Sequence, residues 1–214
     1  MYLCICVLSI CYRSDLLEFD FNLSKWSVVP AAGRRPRARY RATCVVHKNQ
    51  MLLFGGHDGT RHLADTHIFD FETRIWTALV TDGTPPIPRD SHVSAVWNGS
   101  MYIFGGSSGS AMSDLHELQL PSKPSSAAKW RQLRSSSTDQ PEPRFCHVAA
   151  VYQDSMYVFG GKWHLSSLLQ HENCSELTCM IHRMKVMTEA SGSTILFDST
   201  LLPMISAFKC LHQH

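Results

Sequence analysis

MYIFGG, residues 101–106, recurs in this chain as MLLFGG at 51–56 and as MYVFGG at 156–161. Each version closes a short apolar run with two glycines. A motif that returns at a nearly constant interval of about 50 residues indicates an internal structural repeat. The residues around this motif therefore predict the unit from which the protein is built.

Other residues keep a fixed distance from the glycine pairs. An arginine lies sixteen positions before the first glycine of each pair, and an aspartate lies ten or nine positions after it in the first two copies. Each aspartate begins an alternating run that leads to a tryptophan, and DLLEFDF before Trp26 matches DTHIFDF before Trp76. We expect the following in-phase residues to be structural: Gly55, Gly56, Gly105, Gly106, Gly160, Gly161, Trp26, Trp76, Trp130, Arg39, Arg89 and Arg144.

Each repeat contains four short extended segments separated by turn residues. In the second complete copy they are residues 92–97, 101–104, 115–120 and 130–133, all of β-strand length. WNGS at 97–100 carries the Asn-Gly signature of a two-residue hairpin. Apolar and polar residues alternate with a period of two, which is typical of strands that bury one face. The sequence therefore predicts an all-β fold.

The glycine pairs are expected to end strands in tight turns. Glycine adopts positive φ and allows close backbone approach where a Cβ would clash. A phosphate-binding loop would need a helix N-terminus after the glycines. The sequence HDGTRHLADTHIFDF, which follows Gly56, offers no such helix. We therefore interpret the pairs as structural.

Four antiparallel strands per unit, a closing glycine pair and a terminal tryptophan resemble the kelch repeat, which is about 50 residues long. The resemblance covers residues 14–161 and implies an incomplete kelch-type β-propeller of about three four-stranded blades. The repeats are most similar to the kelch arrays of the BTB-kelch family of leucine-zipper-like transcriptional regulators. That similarity implies a fragment of a substrate adaptor for a cullin-type ubiquitin ligase.

Both ends of the chain depart from the repeat. We expect a non-matching N-terminal segment at residues 1–13, a kelch segment at 14–161, and a non-matching, poorly ordered tail at 162–214. Closed propellers have four to eight blades, so about three cannot close a ring. We interpret the chain as a partial or alternatively spliced product. Its open blade edges are expected to favour self-association.

Composition sets limits on the partners. A formal net charge of +2 gives the 214-residue chain no strong overall attraction to nucleic acid or to an anionic membrane. The apolar opening MYLCICVLSICYR is too short to span a bilayer, which takes about 20 residues, and it lacks the charged start of a secretory signal. The eight cysteines are scattered, which favours reduced thiols and a cytoplasmic location. Nuclear location, or association with endomembranes through a partner, stays open.

Strand direction places two sets of loops on one face of the predicted propeller. The Arg-rich stretch GRRPRARYR at 33–41 lies in one of them, and guanidinium groups pair well with carboxylates. An exposed loop without a ligand and a nuclear-import patch are the alternatives for this stretch. The predicted partner-binding residues on this face are Arg34, Arg35, Arg37, His57, Asp58, Arg61, His62, Ser107, Ser108 and Ser110.

Chemistry beyond binding has little support in the sequence. His92 and His147 recur in phase, which favours an architectural role over metal ligation. His171, Cys174, Cys179 and His182 have zinc-compatible side chains but irregular spacing. We expect Asp65 and Asp114, at the starts of repeated turns, to accept hydrogen bonds from nearby backbone N–H groups. We therefore predict no enzymatic activity, no cofactor, no metal and no nucleic-acid binding.

The predicted function is that of a protein–protein interaction module that presents blade loops to a protein partner. Two alternatives from other classes stay open. The first is a structural or scaffold kelch protein that binds actin or self-associates. The second is a fragment of a kelch-propeller oxidase or another enzyme, which some members of the kelch family are.

Overall fold

The computed structural model describes residues 12–121, 127–137, 139–162, 182–189 and 192–198, the last two as backbone. Within these ranges the chain forms sixteen β-strands and no helix. The strands are arranged in four sheets. The predicted all-β fold class is therefore confirmed.

The first sheet is a single hairpin. Strands β1 (Leu17–Asp20) and β2 (Lys25–Val28) pair antiparallel, with Phe19 opposite Trp26. Asp20 stabilises the turn by accepting hydrogen bonds from the backbone N–H groups of Asn22 and Leu23. This hairpin corresponds to the outer half of one repeat.

The second sheet contains a complete repeat and one short additional strand. Its members are β3 (Ala32–Gly33), β4 (Thr43–His47), β5 (Gln50–Phe54), β6 (Thr66–Asp70) and β7 (Ile75–Ala78). Strands β4 to β7 form an antiparallel meander, and β3 pairs parallel with β7 at the outer edge.

The third sheet repeats this plan. Its members are β8 (Thr81–Gly83), β9 (Val93–Trp97), β10 (Ser100–Ser107), β11 (Ala111–Gln119) and β12 (Ala128–Leu133). All four predicted strands of this unit are present. Strands β10 and β11 extend further than predicted, because pairing resumes beyond an irregularity between Phe104 and Gly106. The predicted hairpin at WNGS is confirmed, with Trp97 paired to Ser100.

The fourth sheet draws on residues outside the matching segment. Its members are β13 (Val148–Tyr152), β14 (Ser155–Phe159), β15 (His182–Glu189) and β16 (Gly192–Asp198). The last two strands lie in the segment 162–214, where the sequence shows no repeat. Backbone hydrogen bonding between strands needs no particular side chains. The edge of β14 can therefore pair with a strand whose sequence does not follow the kelch repeat. Apart from Lys162, the rest of that tail and residues 1–11 lie outside the described residues.

Three apolar clusters join successive sheets. The first contains Val29, Met51, Phe69 and Trp76; the second contains Leu52, Phe54, Met101, Ile103, Leu118, Ala128 and Trp130; the third contains Val93, Ala95, Tyr102, Phe104, Leu115, Leu133, Met156 and Val158. Strand β4 contacts β9, and β9 contacts β13, so these strands line the inner side. The fold is a partial kelch-type β-propeller, and the number of its blades stays a prediction.

A ladder of backbone hydrogen bonds runs between the units. Arg41, Ser91 and Cys146 each follow a repeated arginine by two positions, and their φ values are 53°, 55° and 56°. The N–H of Ser91 donates to the carbonyl of Arg41, and the N–H of Cys146 donates to the carbonyl of Ser91. The left-handed turn at this position therefore links each unit to the preceding one.

Candidate functional site

The repeated arginines hold the ends of the strands. Arg39 donates to the carbonyl of Gly55 at 2.8 Å and makes two hydrogen bonds to Asp65, of 2.7 and 2.8 Å. Arg89 makes the same contacts with Gly105 and Asp114, at 2.9 Å to the carbonyl and 2.7 Å to each carboxylate oxygen. Each arginine thus clamps a glycine pair to the start of the following strand.

The prediction for Asp65 and Asp114 was wrong about their donors. Their carboxylates accept from arginine side chains and from the imidazoles of His67 and His116, at 2.9 and 2.8 Å, rather than from backbone N–H groups. The planar guanidinium fork matches both carboxylate oxygens at once, which a single N–H cannot do. Burial would raise the pKa of both aspartates, but these hydrogen bonds outweigh it and hold both pKa values below the ordinary 3.8.

The third repeated arginine has a smaller set of described partners. Arg144 donates to the carbonyl of Gly160 at 3.2 Å. Within the described part of the chain it forms no ion pair, and the position that would match Asp114 lies among residues that the structure does not describe. Half-burial lowers the pKa of Arg144 from its ordinary 12.5.

The three repeated tryptophans differ in their exposure. Trp76 and Trp130 are buried, as expected. Trp26 is 44% exposed, which differs from its expected place in a core. Trp130 is covered by Phe54 of the preceding sheet, and Trp76 clusters with Leu16 and Val29, which flank the preceding hairpin. No described sheet precedes the hairpin that carries Trp26.

The structure brings five predicted partner-binding residues together on one rim. Asp58 lies at the centre, with Arg37 at 2.9 Å on one side and Arg61 at 3.8 Å on the other. Asp58 also accepts from the Thr60 hydroxyl and from the backbone of Thr60 and Arg61. These hydrogen bonds, with that of Thr60 the strongest, hold the pKa of Asp58 well below its usual range. Asp58 therefore shapes the loop and stays anionic.

An aromatic row completes this rim. The rings of His57 and His62 meet edge to face at 4.8 Å, Tyr40 lies 5.4 Å from His57, and Tyr12 lies 5.4 Å from Tyr40. The guanidinium of Arg41 lies over the Tyr40 ring at 5.2 Å. Sequence reasoning included Arg41 in the Arg-rich stretch but missed Tyr12 and Tyr40 as rim residues. Their signal was weak, because Tyr12 lies in the non-matching segment and Tyr40 has no aromatic counterpart at residue 90.

Arg34 and Arg35 lie apart from this cluster, at the outer edge beside β7, where the N–H of Arg34 donates to the carbonyl of Trp76. The side chain of Arg34 is exposed, and Arg35 folds back so that its guanidinium donates to the carbonyl of Ala31. Ser107 ends β10, and Ser108 and Ser110 form an exposed turn after it. A buried residue connects the two loops: the backbone of Asp90 pairs with Ser107, and its carboxylate lies 3.5 Å from His62.

The charge on this rim is unequally distributed. Arg37, Arg41 and Arg61 are exposed, whereas the side chains of Asp58 and Asp90 are 8% and 6% exposed. The anionic groups thus lie under the cationic ones. A ligand that approaches this rim meets guanidinium and aromatic groups first.

A groove of about 290 Å³ lies along the inner strands. Its walls include the in-phase histidines and Thr43, whose hydroxyl lies 2.6 Å from Nε2 of His92. Val93 occupies in β9 the register position of Thr43 in β4, so His147 lacks the corresponding hydroxyl. Burial lowers the pKa of His92 to about 3 and that of His147 to about 4. Both imidazoles are neutral at physiological pH.

The described residues contain no group of three or more histidine, cysteine or acidic side chains placed to hold a metal ion. The H-x2-C-x4-C-x2-H stretch at 171–182 lies almost wholly outside these residues. The described part of the chain also contains no helix with the length and apolar character that a membrane crossing requires.

Comparison with protein-family models matches residues 9–161 to the KLHDC2/KLHL20/DRC7 Kelch-repeats domain. Comparison with curated proteins gives no match. Kelch repeats generally mediate protein–protein interaction and generally lack enzymatic activity. The matched segment contains the glycine pairs, the arginine clamps and the rim. By the match over most of its length and by this repeated architecture, the chain belongs to the kelch-repeat family.

Proposed function

We propose that this chain is a protein-interaction module whose Arg-rich rim binds an acidic segment of a partner protein. One observation carries the proposal. The exposed guanidinium groups of Arg37, Arg41 and Arg61 share a rim on which the neighbouring carboxylates of Asp58 and Asp90 lie beneath the surface. Arginine pairs with carboxylates through two parallel N–H donors, so an acidic peptide fits this surface.

The aromatic row supports the same partner. Tyr40 holds Arg41 by a cation–π contact, and Tyr40 is itself held between Tyr12 and His57. A side chain that is already oriented loses less conformational entropy when it binds. The side chains of Tyr40 and Arg41 on the rim are therefore preorganised for binding a ligand.

A more specific role, that of a substrate adaptor, is proposed from the resemblance to BTB-kelch proteins such as the leucine-zipper-like transcriptional regulator. In that role the rim would hold a substrate of a cullin-type ubiquitin ligase in the cytoplasm. The support is the repeat pattern and the exposed loop face. Recruitment of the ligase would have to come from outside the kelch segment, because kelch loops supply the substrate contact.

Charge removal on the rim tests the proposal. In the R37A/R61A variant, we expect the Kd for a fluorescein-labelled Asp/Glu-rich peptide to rise about fivefold, because exposed ion pairs contribute about 0.2–1 kcal/mol each. Fluorescence anisotropy measures the change. Binding should also weaken as salt is added, since the charges are exposed to solvent.

The matched control removes two positive charges from the opposite face. Lys25 and Lys48 lie in or beside hairpin turns at the other ends of the strands. The K25A/K48A variant has the same net charge as the rim variant and should retain affinity. Equal losses in the two variants, or equal affinity for an uncharged peptide, would contradict rim-specific binding.

A scaffold role is the second candidate. The observation that favours it is the exposed apolar face of the hairpin β1–β2, which includes Trp26 and Val28. Large apolar patches on a soluble protein mark interaction surfaces.

A further inference from the structure

The hairpin β1–β2 leaves an apolar face uncovered. Leu17 pairs with Val28 and Phe19 pairs with Trp26, so these four side chains lie on one side of the hairpin. Leu17 and Trp26 are each 44% exposed, and Val28 is 67% exposed. Phe21 packs edge-on against Phe19 and extends the same face. We call these five residues the indole face.

The following sheets show what covers such a face. In the third sheet, Leu118 and Trp130 form the corresponding pair, and both are fully buried. Phe54, the residue before the first glycine pair, packs on Trp130 with the ring centroids 5.4 Å apart. At Trp130, the strand that precedes a glycine pair is therefore the cover for the indole of the next sheet.

The other end of the described structure exposes that cover. Phe159 precedes the third glycine pair as Phe54 precedes the first. Phe159 pairs with Val148, and Tyr152 lies on the same side of the sheet. The exposed fractions of Phe159, Val148 and Tyr152 are 44%, 61% and 65%. We call these three residues the covering face.

We propose that two copies of this chain join head to tail, with the covering face of one copy packed on the indole face of the other. The contact between Phe159 and Trp26 would reproduce between subunits the packing of Phe54 on Trp130. Burial of both apolar faces would drive the association. The inference does not depend on acidic-peptide binding, since neither face contains a rim residue.

A twofold rotation would close this pair. Because the two faces differ, each contact is heterologous. Two such contacts related by a twofold rotation form a closed ring of two chains. The described part of one chain contains three sheets of four or five strands and one two-stranded hairpin, so two chains supply six such sheets and two hairpins, and six lies within the four to eight blades of closed propellers.

Sedimentation velocity over a wide range of concentration tests the proposal, and we expect a monomer–dimer equilibrium. Trp26→Asp and Phe159→Asp should each raise the dimer Kd at least about a hundredfold, because each would bury an unpaired carboxylate in both contacts. Trp26→Gln provides a milder second variant. Circular dichroism of each variant verifies that the sheets are retained.

Mixing the two variants distinguishes head-to-tail packing from any other dimer. The W26D chain retains its covering face, and the F159D chain retains its indole face, so one intact contact can form between them. We expect the mixture to dimerise at concentrations at which each variant alone is monomeric. A dimer built from two identical faces would not show this rescue.

Val80→Asp is the matched control, because Val80 is 81% exposed but lies between β7 and β8, outside both faces. This variant should dimerise like the unaltered chain. The proposal is overturned if the unaltered chain stays monomeric at every concentration, if W26D or F159D leaves the dimer intact, or if the mixture of variants remains monomeric.

Discussion

Gly106 and Gly109 have nearly the same backbone torsion but different surroundings. Their φ values are 100° and 105°, a region that residues with a Cβ rarely adopt. A Cβ on Gly106 would lie 2.7 Å from the carbonyl oxygen of Asp90 and 2.8 Å from the Cβ of His92, whereas a Cβ on Gly109 would meet nothing within 4 Å. The glycine pair is thus required by close packing as well as by torsion.

The two glycines give a matched pair of substitutions. Gly109→Ala should lower the free energy of unfolding by about 1 kcal/mol, the cost of the torsion alone. Gly106→Ala should lower it by about 3 kcal/mol or more, because the neighbouring backbone must also move. Urea unfolding measures both values. Equal losses would show that contact with Asp90 and His92 is unimportant.

Arginine clamps act at the scale of the element, because Arg39 and Arg89 each join the first glycine of a pair to the aspartate that follows it along the chain. Arg89 is fully buried and holds both Gly105 and Asp114, whereas the only described hydrogen-bond acceptors of the half-buried Arg144 are backbone carbonyls. Because their partners differ, we expect Arg89 to contribute more to the free energy of unfolding than Arg144.

Arg89→Ala should lower the free energy of unfolding by about 3 kcal/mol or more, since it leaves a carboxylate without its buried partner. Arg144→Ala should cost about 1 kcal/mol, the usual worth of one hydrogen bond. Thermal and urea unfolding of both variants give the comparison. If Arg144→Ala costs as much as Arg89→Ala, the ion pair to Asp114 is not the main contribution.

Strands and hairpins could be predicted from the sequence because alternation and turn residues are local signals. Trp26 was placed in a core because its sequence environment matches that of Trp76; its exposure depends on a neighbour that the local pattern cannot reveal. Strands β15 and β16 could not be predicted either, since they lack the repeat and pair only through the backbone. The contact between the two rim loops could not be predicted either, because Asp90 makes it over a long distance in sequence and no sequence motif marks it.

At the scale of the whole molecule, the inner histidines couple stability to pH. His92 and His147 have pKa values of about 3 and about 4 in the folded chain, against an ordinary 6.5. The unfolded state therefore binds more protons between these values and pH 6.5, and stability falls as the pH is lowered through that window. Asp65 and Asp114, whose folded pKa values lie below 3.8, affect stability only at lower pH.

Below about pH 6, the free energy of unfolding should fall by about 1.4 kcal/mol per pH unit for each of the two histidines. His147→Ala should halve this slope, and residue 42 shows that alanine occurs at the same repeat position. Urea titrations at several pH values measure the slope. His47→Ala, outside the groove, is the control for loss of a histidine, and an unchanged slope in H147A would contradict the mechanism.

The ladder through Arg41, Ser91 and Cys146 gives the whole molecule a polarity. The N–H groups of Ser91 and Cys146 both point toward the preceding unit, so the series has a donor end and an acceptor end. A unit inserted in the opposite orientation would place two donors or two acceptors against each other. The main chain therefore fixes the orientation of each unit relative to its neighbours, independently of any side chain.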